Sequence, residues 1–218
     1  MKKQRYEYKQ QAKQLLEGKY TNVIVIMIII SVVSGLFSSG NLNLQQPNVG
    51  ARLLSIITFA LSAAFLFGTT KMYIGLTNDV NPDIEDILLV GFKSNYVRSL
   101  VTALLNAIFV FLWSLLLIIP GIIKAYAYSM AFYLLNKEPE LQASDAITKS
   151  KEYTKGYKMD LFLLHLSYLG WFILSIFTFG ILLLWVIPKV ETAKTLMFNE
   201  IYEKNNPVVE EIKEPIFE

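Results

Sequence analysis

Residues 100–135 read LVTALLNAIFVFLWSLLLIIPGIIKAYAYSMAFYLL, a stretch of two apolar runs separated by Pro120 and Gly121. Residues 100–119 form a predominantly apolar run of about the 20 residues that a helix needs to cross hydrocarbon. Pro120 and Gly121 favour a turn after that run. Residues 122–135 then continue as a second apolar run, in which Lys124 is the one charged residue. The stretch therefore predicts a membrane hairpin.

The composition supports a bilayer environment and excludes several kinds of function. Charged residues make up only 17% of the 218 residues, against about 25% in an ordinary soluble domain. The net charge of +2 argues against a nucleic-acid partner. The chain has no cysteine and a single histidine, so we expect no metal and no cofactor. It also lacks a phosphate loop, an HExxH motif and a nucleophile elbow, so we expect no enzyme and no catalytic residue.

Six apolar stretches predict an all-α, polytopic membrane protein with its helices paired as three hairpins. The expected spans cover about residues 20–40, 53–70, 100–119, 122–135, 159–177 and 180–198, within a membrane domain of residues 23–204. A basic amphipathic helix is expected over residues 1–22, on the cytoplasmic side. Residues 205–218 are acidic and contain proline, which predicts a disordered tail.

Amphipathic stretches before three of the spans predict helices that lie on the membrane surface. In the first stretch, an apolar face is formed by Tyr6, Tyr8, Ala12, Leu15 and Leu16, and further surface helices are expected over residues 79–93 and 136–158. Each stretch ends in a similar tripeptide: Gly18-Lys19-Tyr20, Gly91-Phe92-Lys93 and Gly156-Tyr157-Lys158. We expect the glycine to end the surface helix and the aromatic residue and lysine to lie at headgroup level. Chance similarity among interfacial turns explains the repetition equally well.

The basic residues predict the orientation of the chain. Under six spans, every Lys and Arg except Arg52 and Lys124 falls on one side of the membrane. The positive-inside rule makes that side cytoplasmic, with both termini inside the cell. The apolar part of the sixth span is short, however, and Lys189 follows it directly. A five-span chain with its tail outside therefore remains the alternative.

Three polar side chains within the predicted spans are candidates for function, namely Lys124, Tyr128 and His165. An ionisable residue in a span is a functional hypothesis by default, and Lys124 could bind an anionic group with Tyr128 one turn further along. Snorkelling toward the outer headgroups explains Lys124 as well. A neutral His165, hydrogen-bonded to a neighbouring helix, is the alternative to a proton relay.

Two other sets of residues have candidate roles at the membrane. Tyr126, Ser129 and Tyr133 would share one face of a continuous helix, where they would line a polar cavity or bond between helices. Several lysines are candidates for contact with anionic headgroups on the cytoplasmic side. These candidate headgroup lysines are Lys19, Lys93, Lys149, Lys151, Lys155 and Lys158.

A set of short motifs resembles a bacterial family of integral membrane proteins known as domain of unknown function 975. The motifs are Leu112-Trp113-Ser114-Leu115-Leu116, Ile119-Pro120-Gly121-Ile122, Lys124, Tyr126, Ala146, Ser150-Lys151, Gly156, Lys158, Leu166-Ser167, Gly170-Trp171 and Pro188. The chain departs from the family pattern at Lys189, where tyrosine is usual. The resemblance implies a multi-pass protein of the bacterial plasma membrane, and it implies no activity or catalytic residue.

Two functions are compatible with these observations. The leading hypothesis is a non-enzymatic membrane component that acts on lipid or on a partner protein through its cytoplasmic face. The alternative is a small transporter or efflux component, with a polar path near Lys124 and His165. A chain of 218 residues is short for alternating access, so a transporter would be expected to form a homodimer.

Overall fold

The computed structural model describes residues 4–38, 49–84, 90–92, 96–116 and 118–207. Its regular secondary structure over these residues is helical, which confirms the all-α fold. The helices are α1 (Arg5–Leu16), α2 (Tyr20–Ser38), α3 (Val49–Thr77), α4 (Tyr96–Leu116), α5 (Ile118–Tyr128), α6 (Ala131–Lys137), α7 (Ala143–Tyr153), α8 (Lys158–Leu166), α9 (Leu169–Phe177) and α10 (Leu183–Asn205). Residues 85–89 and Lys93 of the second predicted surface helix, and the tail from residue 208 onward, lie outside the described residues.

Three helical stretches are long and apolar enough to cross a membrane, namely Ile56–Thr77, Tyr96–Leu115 and Lys158–Phe177. They coincide with the predicted spans 53–70, 100–119 and 159–177. Arg5–Leu16 and Tyr20–Val32 meet the same criterion only as a pair, and the two helices are bent by 91°. Within the described residues, the predicted spans 122–135 and 180–198 have no such helix of their own.

The turn of the central hairpin lies earlier in the sequence than predicted. Helix α4 ends at Leu116 and α5 begins at Ile118, so Pro120 and Gly121 are helical and the predicted turn at these two residues is wrong. Proline is tolerated in the first turn of a helix, because no intrahelical partner exists there for the missing N–H. Gly121 instead allows a close approach of the two helices, since a Cβ atom there would lie 2.9 Å from the Cα of Ser114.

The predicted fourth span, residues 122–135, is not one continuous helix. It breaks at Ser129 and Met130, between the 11 residues of α5 and the seven of α6. The hydroxyl of Ser150, a fully buried residue of α7, spans the break. It donates to the carbonyl of Ala127 at 2.9 Å and accepts the N–H of Met130 at 3.1 Å. A side chain of the neighbouring helix α7 thus makes hydrogen bonds with backbone groups that have no partner within an interrupted helix.

The glycines of the predicted repeat behave in two ways. Gly18 and Gly156 have φ angles of +77° and +87°, and each stands between two helices, as predicted. Glycine adopts this left-handed conformation without steric cost. Gly91 does not have a positive φ. A Cβ atom there would lie 2.9 Å from the Cα of Ala64, so this glycine permits contact with α3.

Helices α1 and α7 are packed against the protein rather than lying with their apolar faces on the membrane. Tyr8 and Ala12 of α1 belong to the same buried cluster as Ala193 and Ile201 of α10, and the hydroxyl of Tyr8 donates to Glu200. Tyr6, assigned to the same apolar face, is exposed. Ile147 of α7 is buried in a second cluster with residues of α5 and α6. Amphipathicity therefore reflected helix packing in both cases.

Helices α9 and α10 are connected by a turn at residues 178–180, where the turn was expected, and are called the α9–α10 hairpin below. Phe179 and Gly180 have positive φ angles of 50° and 83°. Helix α10 continues through Pro188 to Asn205, and much of its length after Trp185 is buried in the protein. Glu200 of α10, for example, accepts the hydrogen bond from Tyr8 of α1, so this helix carries charge where it contacts another helix.

Candidate functional site

A cavity of about 630 Å³ lies between α2, α3, α4 and α10, at the break between α5 and α6. Much of its wall is apolar. Met27 of α2 and Phe132 of α6, which lie far apart in the sequence, both contribute to it. Phe59 and Leu66 also line the cavity and are 38% and 47% exposed. Both residues belong to the stretch Ile56–Thr77, so the cavity opens on the surface of a candidate membrane span.

Polar groups interrupt the apolar wall at a few points. Glu191 and Lys194 of α10 form an ion pair beside the cavity, and Ser129 lies there at the helix break. Asn106 of α4 also lines the wall, and its Oδ1 atom is buried without a hydrogen-bond partner among the described residues. A buried acceptor left unpaired costs about 1–3 kcal/mol. A ligand with a hydrogen-bond donor would remove this cost.

A chain of hydrogen bonds connects three helices at Tyr133, which also lines the cavity. The hydroxyl of Tyr133 donates to Asn199 at 2.6 Å, and the amide of Asn199 donates to Thr77 at 2.8 Å. These bonds connect α6, α10 and α3. Tyr133 is only 1% exposed. This part of the wall is therefore held by hydrogen bonds between three helices.

Lys124 does not line the cavity. Its ammonium nitrogen lies 4.1 Å from the ring centroid of Trp113, across the α4–α5 hairpin. Lys158 lies within electrostatic range of Lys124, and also of Lys151 and Lys155. Lys124 therefore lies near the candidate headgroup lysine Lys158, and outside the cavity wall that Tyr128 lines.

Tyr128 and His165 also lie apart from each other. Tyr128 lines the cavity, with its ring 5.8 Å from that of Phe109. The Nδ1 atom of His165 lies 2.8 Å from the carbonyl of Leu161, and its ring is 5.5 Å from that of Tyr126. Since the helix breaks at Ser129, Tyr126 does not lie on one continuous helix with Ser129 and Tyr133. Ser129 and Tyr133 line the cavity, whereas Tyr126 does not.

The described candidate headgroup lysines are of two kinds. Lys19 forms an ion pair with Asp79 at 2.5 Å, and Lys149 forms one with Glu138 at 2.6 Å. The hydrogen bond that Lys149 donates to the Glu138 carboxylate raises the pKa of Lys149, so this side chain stays charged. The second kind consists of the exposed Lys151 of α7, the exposed Lys155 in the turn after α7, and the half-buried Lys158. This second kind is the freer to meet anions.

The whole sequence was compared with known families, proteins and structures. A family model described as "Protein of unknown function (DUF975)" matches residues 1–124 and 114–205. The chain belongs to this family. No curated protein and no solved structure matches it. The family assignment agrees with the resemblance seen in the motifs. The family's function is unknown, so the assignment gives no role to any residue.

The sequence patterns did not identify two features of this region. Glu191 and Lys194 were attributed to the end of a membrane span, although their spacing is also that of neighbours on one helix face. Ser150 was noted only as part of a motif. A buried serine in an amphipathic helix is a signal for a bond to a neighbouring helix, because a lone hydroxyl is rarely buried unpaired.

Proposed function

We propose that this protein is a non-enzymatic component of the bacterial plasma membrane that binds one amphipathic, lipid-like molecule in the cavity between α2, α3, α4 and α10. The cavity is the observation that carries the proposal. Its volume of about 630 Å³ lies within the range of small-molecule sites, about 300–1,000 Å³. Its opening at Phe59 and Leu66 suits entry from the bilayer rather than from water.

The arrangement in the membrane is part of the proposal. Large apolar side chains are exposed along α4 at Val97, Val101, Leu104, Ile108 and Phe111, in a stripe of helical period. A stripe of this length on a soluble surface would promote association. The basic residues outside the apolar stretches favour cytoplasmic termini, as the positive-inside rule requires. On this basis, we propose that the three predicted helical hairpins lie in one bilayer.

The test is to fill the cavity and measure what the purified protein retains. Ala103 lines the cavity, whereas Ala107 lies one turn further along α4 and is exposed. We expect native mass spectrometry of the wild-type protein in detergent to show one bound amphipathic molecule. We expect Ala103→Phe to reduce its occupancy at least tenfold and Ala107→Phe to leave it unchanged. Equal occupancy in the two variants would refute the binding site.

A transporter is the second candidate, because Tyr128 and Ser129 line the cavity close to the ion pair of Glu191 and Lys194. The absence of cysteine allows a direct distinction. A binding protein predicts that Ser129→Cys does not react with a membrane-impermeant thiol reagent in intact cells. A water-filled path predicts that it does react, and that substrate protects it. Gln10→Cys, on the exposed face of α1, serves as the reactive control in opened membranes.

A further inference from the structure

A second, smaller pocket lies where α1 meets the α9–α10 hairpin. Its volume is about 180 Å³, and it is lined by Lys9 and Lys13 of α1, Lys189 of α10, and the indoles of Trp171 and Trp185. Tyr168, Leu182 and Val186 complete the wall. None of these residues lines the larger cavity. The pocket therefore combines three cationic side chains with an aromatic and aliphatic surface.

Two of the three lysines contact uncharged groups. The ammonium nitrogen of Lys9 lies 3.3 Å from the carbonyl oxygen of Ser167 and 4.3 Å from the ring centroid of Tyr168. That of Lys189 lies 5.9 Å from the ring centroid of Tyr20. Within the part of the chain that the structure describes, none of the three lysines forms an ion pair with a carboxylate. Their charge is available to an external anion.

We propose that this pocket binds the headgroup of one anionic phospholipid. Lysine is a frequent ligand of phosphate groups, and three lysines from two helices surround a space suited to one such group. Tryptophan is enriched at the depth of the headgroups, where its ring is apolar on one side and its N–H meets polar groups. The inference requires that the α9–α10 hairpin enters a membrane, and it does not depend on the larger cavity.

The surface next to the pocket indicates a lipid rather than a free anion. From Trp171 onward, the hairpin exposes Ile173, Ile176, Phe177 and Phe179 to its surroundings, and Phe179 is 98% exposed. Acyl chains that extend from a headgroup in the pocket would cover these side chains. A soluble phosphate would leave them in water. The charge and the apolar surface are thus explained by one ligand that carries both.

The test measures lipid binding to the full-length protein in a neutral detergent. Phosphatidylglycerol, phosphatidylcholine and inorganic phosphate are titrated, and binding is followed by native mass spectrometry and by the shift in thermal midpoint. We expect phosphatidylglycerol to bind the wild type at least tenfold more tightly than phosphatidylcholine, with no shift from millimolar phosphate. The double variant Lys13→Gln/Lys189→Gln should weaken phosphatidylglycerol binding at least tenfold.

The matched control is Lys151→Gln/Lys155→Gln, which removes the same charge from exposed positions on α7 and in the turn that follows it. Binding within threefold of wild type is expected for this control and for Ala103→Phe, which alters only the larger cavity. Equal weakening in both double variants would mean general attraction between charges and would overturn the pocket. A shift with phosphate equal to that with phosphatidylglycerol would overturn the lipid assignment. If the double variant is unfolded by circular dichroism, the single variant Lys13→Gln decides, since Lys13 is exposed.

Discussion

Gly121 shows how one residue of the central hairpin constrains its neighbours. An added Cβ atom would lie 2.9 Å from the Cα of Ser114, which real Cβ atoms do not tolerate without a shift of the backbone. We expect Gly121→Ala to destabilise the protein by about 1–3 kcal/mol, the usual cost of overpacking. Its thermal midpoint in detergent would fall accordingly.

The same substitution at Gly170 is the control for Gly121. A Cβ atom at Gly170 would have no heavy atom within 4 Å, and the residue lies in α9. Alanine favours a helix over glycine by about 1 kcal/mol. Gly170→Ala should therefore leave the thermal midpoint unchanged or raise it. A fall of equal size in both variants would show that the α4–α5 contact is not as close as described.

At the scale of helices, the break between α5 and α6 depends on α7. Ser150 bonds to both sides of the break, and Thr154 donates to the same carbonyl of Ala127 at 3.2 Å. Ser150→Ala would leave the N–H of Met130 unpaired in a fully buried site. We expect a loss of about 1–3 kcal/mol in the free energy of unfolding, measured by denaturant titration in detergent.

The comparison for Ser150 is Ser144, at the other end of the same helix. Ser144 is exposed, and its hydroxyl makes one long contact of 3.4 Å with the neighbouring Asp145. Ser144→Ala should change the free energy of unfolding by less than about 0.5 kcal/mol, as surface substitutions usually do. If Ser150→Ala changed it no more than this, the break would have to be stabilised by the backbone of α5 and α6 alone.

For the whole molecule, the sequence predicted what depends on local pattern. The helical class, three stretches long and apolar enough to cross a membrane, the glycine turns at Gly18 and Gly156 and the turn at residues 178–180 follow from composition and turn chemistry. The burial of Tyr8 and Ala12 against α10 depends on contacts between distant parts of the sequence, such as that of Tyr8 with Glu200, 192 residues away. The cavity is formed by five separate segments in the same way. The hydrophobic periodicity of one segment does not indicate which other segment it packs against.

The depth of the α9–α10 hairpin is the feature of the whole molecule that is easiest to test. If residues 158–177 crossed the bilayer, Lys9 beside Ser167 would lie near its centre, where each lysine costs about 2.5–3.5 kcal/mol. With Trp171 and Trp185 at headgroup level, the hairpin instead reaches only about 12 Å to Phe179, by helix rise, into hydrocarbon about 30 Å thick. The burial of the polar helix α1 against α10 favours the shallow position.

The two depths predict different reactivity for a cysteine at Phe179, the most exposed residue of the turn. A tip within hydrocarbon should not react with a membrane-impermeant thiol reagent added to intact cells or to inverted vesicles, because the thiolate does not form there. Gln10→Cys, exposed on α1, should react in inverted vesicles only. Reaction of Phe179→Cys in intact cells would show a hairpin that crosses the membrane, and the lysine pocket would then require another environment.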